Sequence, residues 1–482
     1  MTADYIAFHA AERPDAVAIV DRGREMTYAE FHRDLSRFTC ALGEFGFARG
    51  SSVAVAWGGF YSHLLMLVAL ERLGIASTSY LPQEGAGSAG LLASVDFVLS
   101  ETRPPEVAVE RHRAVTPRWL ERVLARADAE MPEAASEDAS DPLRILRTSG
   151  TTGEPKRLLL TRRMFEAWVA RWIWSLGIAR ASRHLVTMPF TVTGSYTLAI
   201  ATIRAGGMVI YAGLETGTAA ALARHGRGLT HLMVTPLELK LILDCLPRDF
   251  AKPPGLTVCT IGAALAAPLR EKALARLASE VVVYYGSNEI PFIAETRSSG
   301  SEGVSTVFPW VRAQTVDEHG NPAPPGAIGA VRLQADAMST GYLDDPETTA
   351  RKFRNGWFYP GDIGILHGPG RLQLVGREDE LLNIGGVKFA PSALEAWVLQ
   401  RATVGDIGVC AVRNSEGIEE ICVAVANPRH DDADLLARVK AAFKGYPVGH
   451  FLVVKLPRIP RNANGKIERK RLAEIVAGEM RG

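Results

Sequence analysis

The sequence predicts an α/β fold, with a large N-terminal domain of helix-covered β-sheets and a small mobile C-terminal α/β domain joined to it by a hinge. Three observations carry that expectation. Short apolar strand-like runs alternate with helical patterns, the composition is that of a packed globular protein, and a polar cluster interrupts the pattern near Asp379. At 482 residues, with 47% hydrophobic and 22% charged side chains, the chain is long enough for more than one domain and a large buried core. Lys plus Arg number 54 and Asp plus Glu 53, giving a net charge of +1. Such a balance provides no global field for nucleic acid or an anionic membrane, so binding must come from local sites. Cys40, Cys245, Cys259, Cys410 and Cys422 show no CxxC spacing. They predict neither a disulfide framework nor a structural zinc site, and they fit a reducing cytoplasm. Residues 1–8 lack a secretory pattern, and the apolar stretch 64–69 is too short to span a bilayer.

Taken in order, Thr27 and Glu30 form a T-x-x-E signature ahead of Phe31, Leu35, Phe38 and Leu42, which predicts a capped amphipathic helix. Residues 52–57 read as a strand and 61–73 as a helix, while the Ala-, Glu-, Asp- and Ser-rich segment 126–141 reads as a surface connection. Strands are expected at 229–234 and 256–261, each followed by a helical pattern, and at 281–284 running into Gly286. After an apolar run at 372–375, the cluster Gly376-Arg377-Glu378-Asp379-Glu380 sets the division into domains 1–378 and 379–482. The second has a helix start at Pro391-Ser392, with Glu395 three positions after the serine, and strands at 407–412 and 421–426.

The densest chemical signal follows Ile145-Leu146: Arg147-Thr148-Ser149-Gly150-Thr151-Thr152-Gly153-Glu154-Pro155-Lys156. Small hydroxyl residues and glycines let backbone N–H groups and hydroxyls converge on an anion, and the lysine adds positive charge. It differs from a GxxxxGK[ST] loop because Glu154 and Pro155 separate Gly153 from Lys156.

With this loop, the chain resembles the adenylate-forming superfamily of acyl- and aryl-CoA synthetases, adenylation domains and luciferases. The resemblance continues through Tyr285-Gly286-Ser287-Asn288-Glu289, Gly341-Tyr342, Tyr359-Pro360-Gly361-Asp362 and Gly376-Arg377-Glu378-Asp379. It extends to Gly385-Gly386-Val387-Lys388 with Pro391 and Glu395, and to Pro460-Arg461-Asn462-Ala463-Asn464-Gly465-Lys466. It implies that Thr148, Ser149, Gly150, Thr151, Thr152, Gly153 and Lys156 hold the β and γ phosphates of ATP. Asn288 would touch the α-phosphate, and Glu289 would bind Mg²⁺, a hard cation suited to carboxylate and phosphate oxygens. Tyr285, beside Gly286, would face adenine, and the turn Gly262-Ala263-Ala264 would line the adenine and acyl pockets. Asp362 would accept the ribose hydroxyls, with Arg377 in support. Lys466 would be catalytic in the first half-reaction, Asp379 the hinge, Gly385 and Gly386 the passage for a pantetheine thiol, and Lys388 a catalytic basic residue at the thiol step.

Arg157, Asn288, Pro360 and Ala330 stand where the family usually has glycine, threonine, Arg or Lys, and glutamate. None of these removes a charge the chemistry needs. Phe190, Thr191 and Gly194 fall in the segment that resembles the family's substrate pocket. No carboxylate is available there to pair an α-amino group, which predicts a neutral-tailed aliphatic or aryl acid. The expected activity is an AMP-forming acid:thiol ligase acting on CoA. The phosphopantetheine arm of an acyl carrier protein is the alternative acceptor, and a non-catalytic acyl or nucleotide sensor is the reading from another class.

Overall fold

The computed structural model describes residues 1–82, 88–135, 138–148, 156–213, 217–298, 303–380, 382–384, 387–402, 404–413, 419–426, 432–443, 451–462 and 465–479. Its largest sheet has 15 strands, and a second has six. In the large sheet, Glu280–Tyr285, Thr257–Thr260, His231–Val234, Arg183–Val186, Met208–Tyr211 and Val17–Asp21 lie side by side and parallel. These short runs are rich in Val, Ile and Leu and buried along most of their length, as parallel strands covered on both faces must be. The other half continues antiparallel through Ala294–Arg297, Val304–Val307, Arg371–Arg377, Asp362–Leu366 and Ile328–Ala335.

The six-stranded sheet runs His112–Ala114, Phe97–Ser100, Ser52–Val55, Ala76–Ser79, Pro142–Arg147 and Arg157–Thr161. Its last two strands form an antiparallel hairpin. The helices Phe60–Arg72 and Thr193–Arg204 are apolar nearly all round and buried, and one hydrophobic cluster joins them to residues of both sheets. Thr27 caps the helix Tyr28–Gly43 in a capping box with Glu30, as the sequence predicts. Segment 126–141 carries no helix or strand among the described residues.

From Leu382 onward the chain builds its own sheets. Leu382–Ile384 pairs with Val387–Phe389, and Asp406–Arg413, Glu419–Ala426 and Phe451–Lys455 form a three-stranded sheet. The helices Pro391–Arg401, Asp432–Ala442 and Arg469–Glu479 accompany it, and two hydrophobic clusters form here from residues of this region alone. The helix starts at Pro391, as expected, but Ser392 and Glu395 do not cap it. Pro391 occupies the first turn of its helix, the N-cap is Ala390 with no side-chain cap, and Glu395 instead accepts the Val409 amide at 2.8 Å and Arg469 Nη1 at 2.5 Å. The five cysteines are free, and no described helix is long and apolar enough to cross a membrane.

Candidate active site

The parallel strands end side by side at Val186, Val234, Thr260 and Tyr285, and the loops leaving those ends form an open edge, where α/β sheets bind ligands. Gly262 follows the strand Thr257–Thr260 with φ +89°, a conformation that favours glycine, and it and Ala264 are exposed, with Ala263 half-buried between them. A Cβ at Gly194 would lie 3.3 Å from Met233 Sδ and 3.5 Å from Ile261 Cδ1, so the start of the helix Thr193–Arg204 packs against the ends of two of these strands. Phe190 is buried, its ring 5.0 Å from that of Phe60 and 5.5 Å from that of Tyr196, and so belongs to the wall. Thr191 and Thr193 line a pocket together with Ser79 and Arg144.

Asp362 and Arg377 face each other across paired strands. Arg377 Nη1 donates to Asp362 Oδ1 at 3.1 Å, and Tyr285 Oη donates to Oδ2 at 2.5 Å. Burial, reinforced by the Asp362 charge, pushes the Tyr285 phenol well above its ordinary pKa and keeps it a neutral donor. Gly361 enters this corner at φ +84°. Gly286 must be glycine for another reason: a Cβ there would stand 1.9 Å from the Pro291 carbonyl oxygen.

Asn288 Nδ2 donates to the Arg147 carbonyl at 2.7 Å, tying the segment after Tyr285 to the base of the hydroxyl-rich loop. That base is clasped by Thr148 N to Lys156 O at 2.8 Å and Lys156 N to Thr148 Oγ1 at 3.1 Å. Ser149, Gly150, Thr151, Thr152 and Gly153 lie outside the described residues. The Lys156 ammonium is held by Asp345 Oδ2 at 2.9 Å and Thr348 Oγ1 at 2.6 Å, and the bond from Lys156, with the Thr348 amide donating to Asp345 Oδ1 at 2.9 Å, draws the Asp345 carboxyl down to about 2. Arg157 pairs with Asp344 at 2.7 Å, and its carbonyl accepts the Leu343 amide, which gives this residue a use where the family usually has glycine.

Glu289 is buried at the same edge. Its Oε1 accepts the Tyr342 hydroxyl at 2.6 Å, while Oε2 has no hydrogen bond among the described residues. One free carboxylate oxygen fits Mg²⁺, which is held by one or two carboxylates plus substrate phosphates and water.

Lys466 leaves a turn closed by Asn462 N to Lys466 O at 2.8 Å, Lys466 N to Asn462 Oδ1 at 3.0 Å and Arg461 Nη1 to Gly465 O at 2.7 Å. Gly465 adopts φ +75°, and a Cβ on it would lie 3.6 Å from Leu237 Cβ and 3.8 Å from Thr235 Oγ1. Thr235 directly follows the strand His231–Val234, so the Lys466 segment comes to the edge that carries Gly262 and Tyr285. The Lys466 ammonium makes no hydrogen bond or ion pair among the described residues. Asp379 sits in the turn Glu378–Glu380, and Lys388 is in register with Asn383; their side chains, with Gly385 and Gly386, lie outside the described residues. Tyr342 as partner of Glu289, Arg144 in the pocket, and the Arg469 pairs with Glu395 at 2.5 Å and Glu380 at 2.9 Å are additions that the sequence did not single out as interactions.

Comparisons with known proteins bear on the family and the fold. The chain is 26% identical to the indoleacetate–CoA ligase of Aromatoleum aromaticum over 98% of both chains. It is also 26% identical over 96% of its length to the probable non-canonical nonribosomal peptide synthetase CymA of Salinispora arenicola, of which it spans only 6%. The ATP-bound structure of MatB from Rhodopseudomonas palustris superposes with a TM-score of 0.85 at 22% identity, covering 99% of each chain, a likeness of fold. The model of the AMP-binding enzyme family matches residues 6–343, and the chain belongs to that family.

Proposed function

We propose that the protein is an AMP-forming acid:thiol ligase that uses ATP and Mg²⁺ to activate a carboxylic acid without an α-amino group, and then passes the acyl group to CoA. In the first step a carboxylate oxygen bonds to the α-phosphorus of ATP and the bond to pyrophosphate breaks. In the second the thiol sulfur, losing its proton, attacks the acyl carbon, and AMP departs. Two anions must approach in the first step, so the site has to neutralise charge without blocking the line of attack. The residues Thr148–Lys156 and Asn288 are suited to the phosphates, and the Asp362, Arg377 and Tyr285 corner to the ribose and adenine. Mg²⁺ held at Glu289 would neutralise phosphate charge.

The observation that supports the reading is the seat of Gly465 on Thr235 and Leu237, beside the edge shared by Gly262 and Tyr285, with the adjacent Lys466 ammonium making no hydrogen bond or ion pair among the described residues. Residues 379–482 act as the moving domain about Asp379, and Lys388, Gly385 and Gly386 serve the thiol step after rotation. Likeness to the fatty acid–[acyl-carrier-protein] ligase ScoC of Streptomyces coeruleorubidus, 26% identical over 98% of this chain, favours a second acceptor, the phosphopantetheine arm of an acyl carrier protein. Pyrophosphate release with ATP, Mg²⁺ and a panel of acids tests the activity, and mass spectrometry of the product with CoA or a loaded carrier separates the acceptors. Release independent of any acid contradicts the reading.

A further inference from the structure

The pocket beside Thr191 is lined by a charge. Arg144, on the strand Pro142–Arg147, is 3% exposed yet borders the same depression as Ser79, Thr191 and Thr193. Its Nη1 donates to Ser77 Oγ at 3.2 Å, its Nη2 to Ser79 Oγ at 3.2 Å and to the Phe190 carbonyl at 3.4 Å, and its guanidinium lies 4.1 Å from the Tyr196 ring centroid. All three acceptors are neutral, and all three bonds are longer than a charged donor makes to a carboxylate. No carboxylate lies within ion-pair distance of Arg144 among the described residues. Glu71, whose field reaches it, is held by Arg204 at 3.5 Å and by the Thr2 amide at 2.9 Å. His63, bonded to Ser79 Oγ at 3.1 Å, is kept neutral by burial and brings no charge of its own.

A buried cation is costly unless an anion meets it, and a guanidinium presents a planar fork suited to carboxylate or sulfonate oxygens. The same depression is bordered by Arg147, which precedes the hydroxyl-rich loop.

We propose that Arg144 selects an acid carrying a second anionic group, carboxylate or sulfonate, at the end away from the reacting carboxylate. This rests on the reading of the site as an acid-activating centre, and it replaces the neutral tail expected from the sequence.

The test compares pyrophosphate release by the wild-type protein on dicarboxylic and sulfo-carboxylic acids over a series of chain lengths, each against a monocarboxylic acid of equal length. The dianionic acids are expected to be preferred in kcat/KM by about 100-fold. Arg144→Met is expected to lower kcat/KM on the dianionic acids by about 100-fold more than on the monocarboxylic acids, abolishing the preference. A wild-type preference for monocarboxylic acids at every length overturns the proposal. So does an Arg144→Met variant that remains folded by circular dichroism and loses both series equally. Should the variant not fold, the wild-type ratio decides alone. Pyrophosphate from neutral acids only removes the selection by Arg144 and leaves the ligase reading standing; no pyrophosphate with any acid removes both.

Discussion

Replacing Lys466 with alanine separates catalysis from folding. The bonds that hold its turn are made by the backbone of Gly465 and Lys466 with Asn462 and Arg461, and the ammonium has no partner among the described residues. Truncation therefore breaks no side-chain hydrogen bond among the described residues, and the stability change should stay within about 0.5 kcal/mol. For a chain of this size that is a Tm shift below about 2 °C. The ammonium's contribution to the transition state is larger. Loss of one donor aimed at developing charge costs about 100- to 1000-fold in rate, or ~3–4 kcal/mol. The assay is acid-dependent pyrophosphate release by wild type and Lys466→Ala, with thermal unfolding of both and thioester formation from supplied acyl-adenylate. The expected pattern is a large loss of pyrophosphate release, an unchanged Tm and a retained thioester step. An unchanged pyrophosphate rate refutes the role of Lys466, and a Tm drop matching the activity loss refutes the argument that its effect is chemical.

Other outcomes follow from the same geometry. Asp362→Asn exchanges the charged acceptor of Arg377 and Tyr285 for a neutral one; it should raise the KM for ATP by about 10-fold and cost about 1.5–3 kcal/mol of stability, checked by kinetics and urea unfolding. Gly286→Ala places a Cβ against the Pro291 carbonyl and should destabilise by ~2–3 kcal/mol, whereas alanine at Gly90, which has open space, should cost far less. Burial lowers the pKa of His63 and of His184 from 6.5 to about 3. The unfolded chain then binds more protons below pH 6.5, so the stability from these neutral imidazoles is complete above that pH and is lost as pH falls toward 3. The loss is about 2 kcal/mol per histidine by pH 5, measured by urea unfolding at stepped pH, and His184→Gln should reduce the slope.

Much of this was legible in the chain because it depends on local patterns. The Thr27–Glu30 capping box needs four residues of sequence, and the parallel strands announce themselves as short apolar runs ahead of turns. Tyr285, Asp362 and Arg377 could be assembled only through a resemblance, since Tyr285 and Asp362 are 77 positions apart. Arg144 escaped detection because its burial is created at a distance. Ser77 and Ser79 lie 67 and 65 positions before it and Phe190 46 after it, while an arginine within PLRILR reads locally as a strand's solvent face. Glu395 misled in the opposite sense. Its spacing from Ser392 imitates a cap, but Pro391 already sets the first turn and Arg469, 74 positions on, offers a buried charge partner.

The most direct measurement of the central claim follows oxygen. An acid that supports turnover, labelled with ¹⁸O in its reacting carboxylate, is incubated with ATP, Mg²⁺ and thiol, and the nucleotide product is weighed by mass spectrometry. Attack of the carboxylate on the α-phosphorus predicts AMP carrying one ¹⁸O and unlabelled pyrophosphate. Unlabelled AMP, or ADP with labelled phosphate, would contradict it.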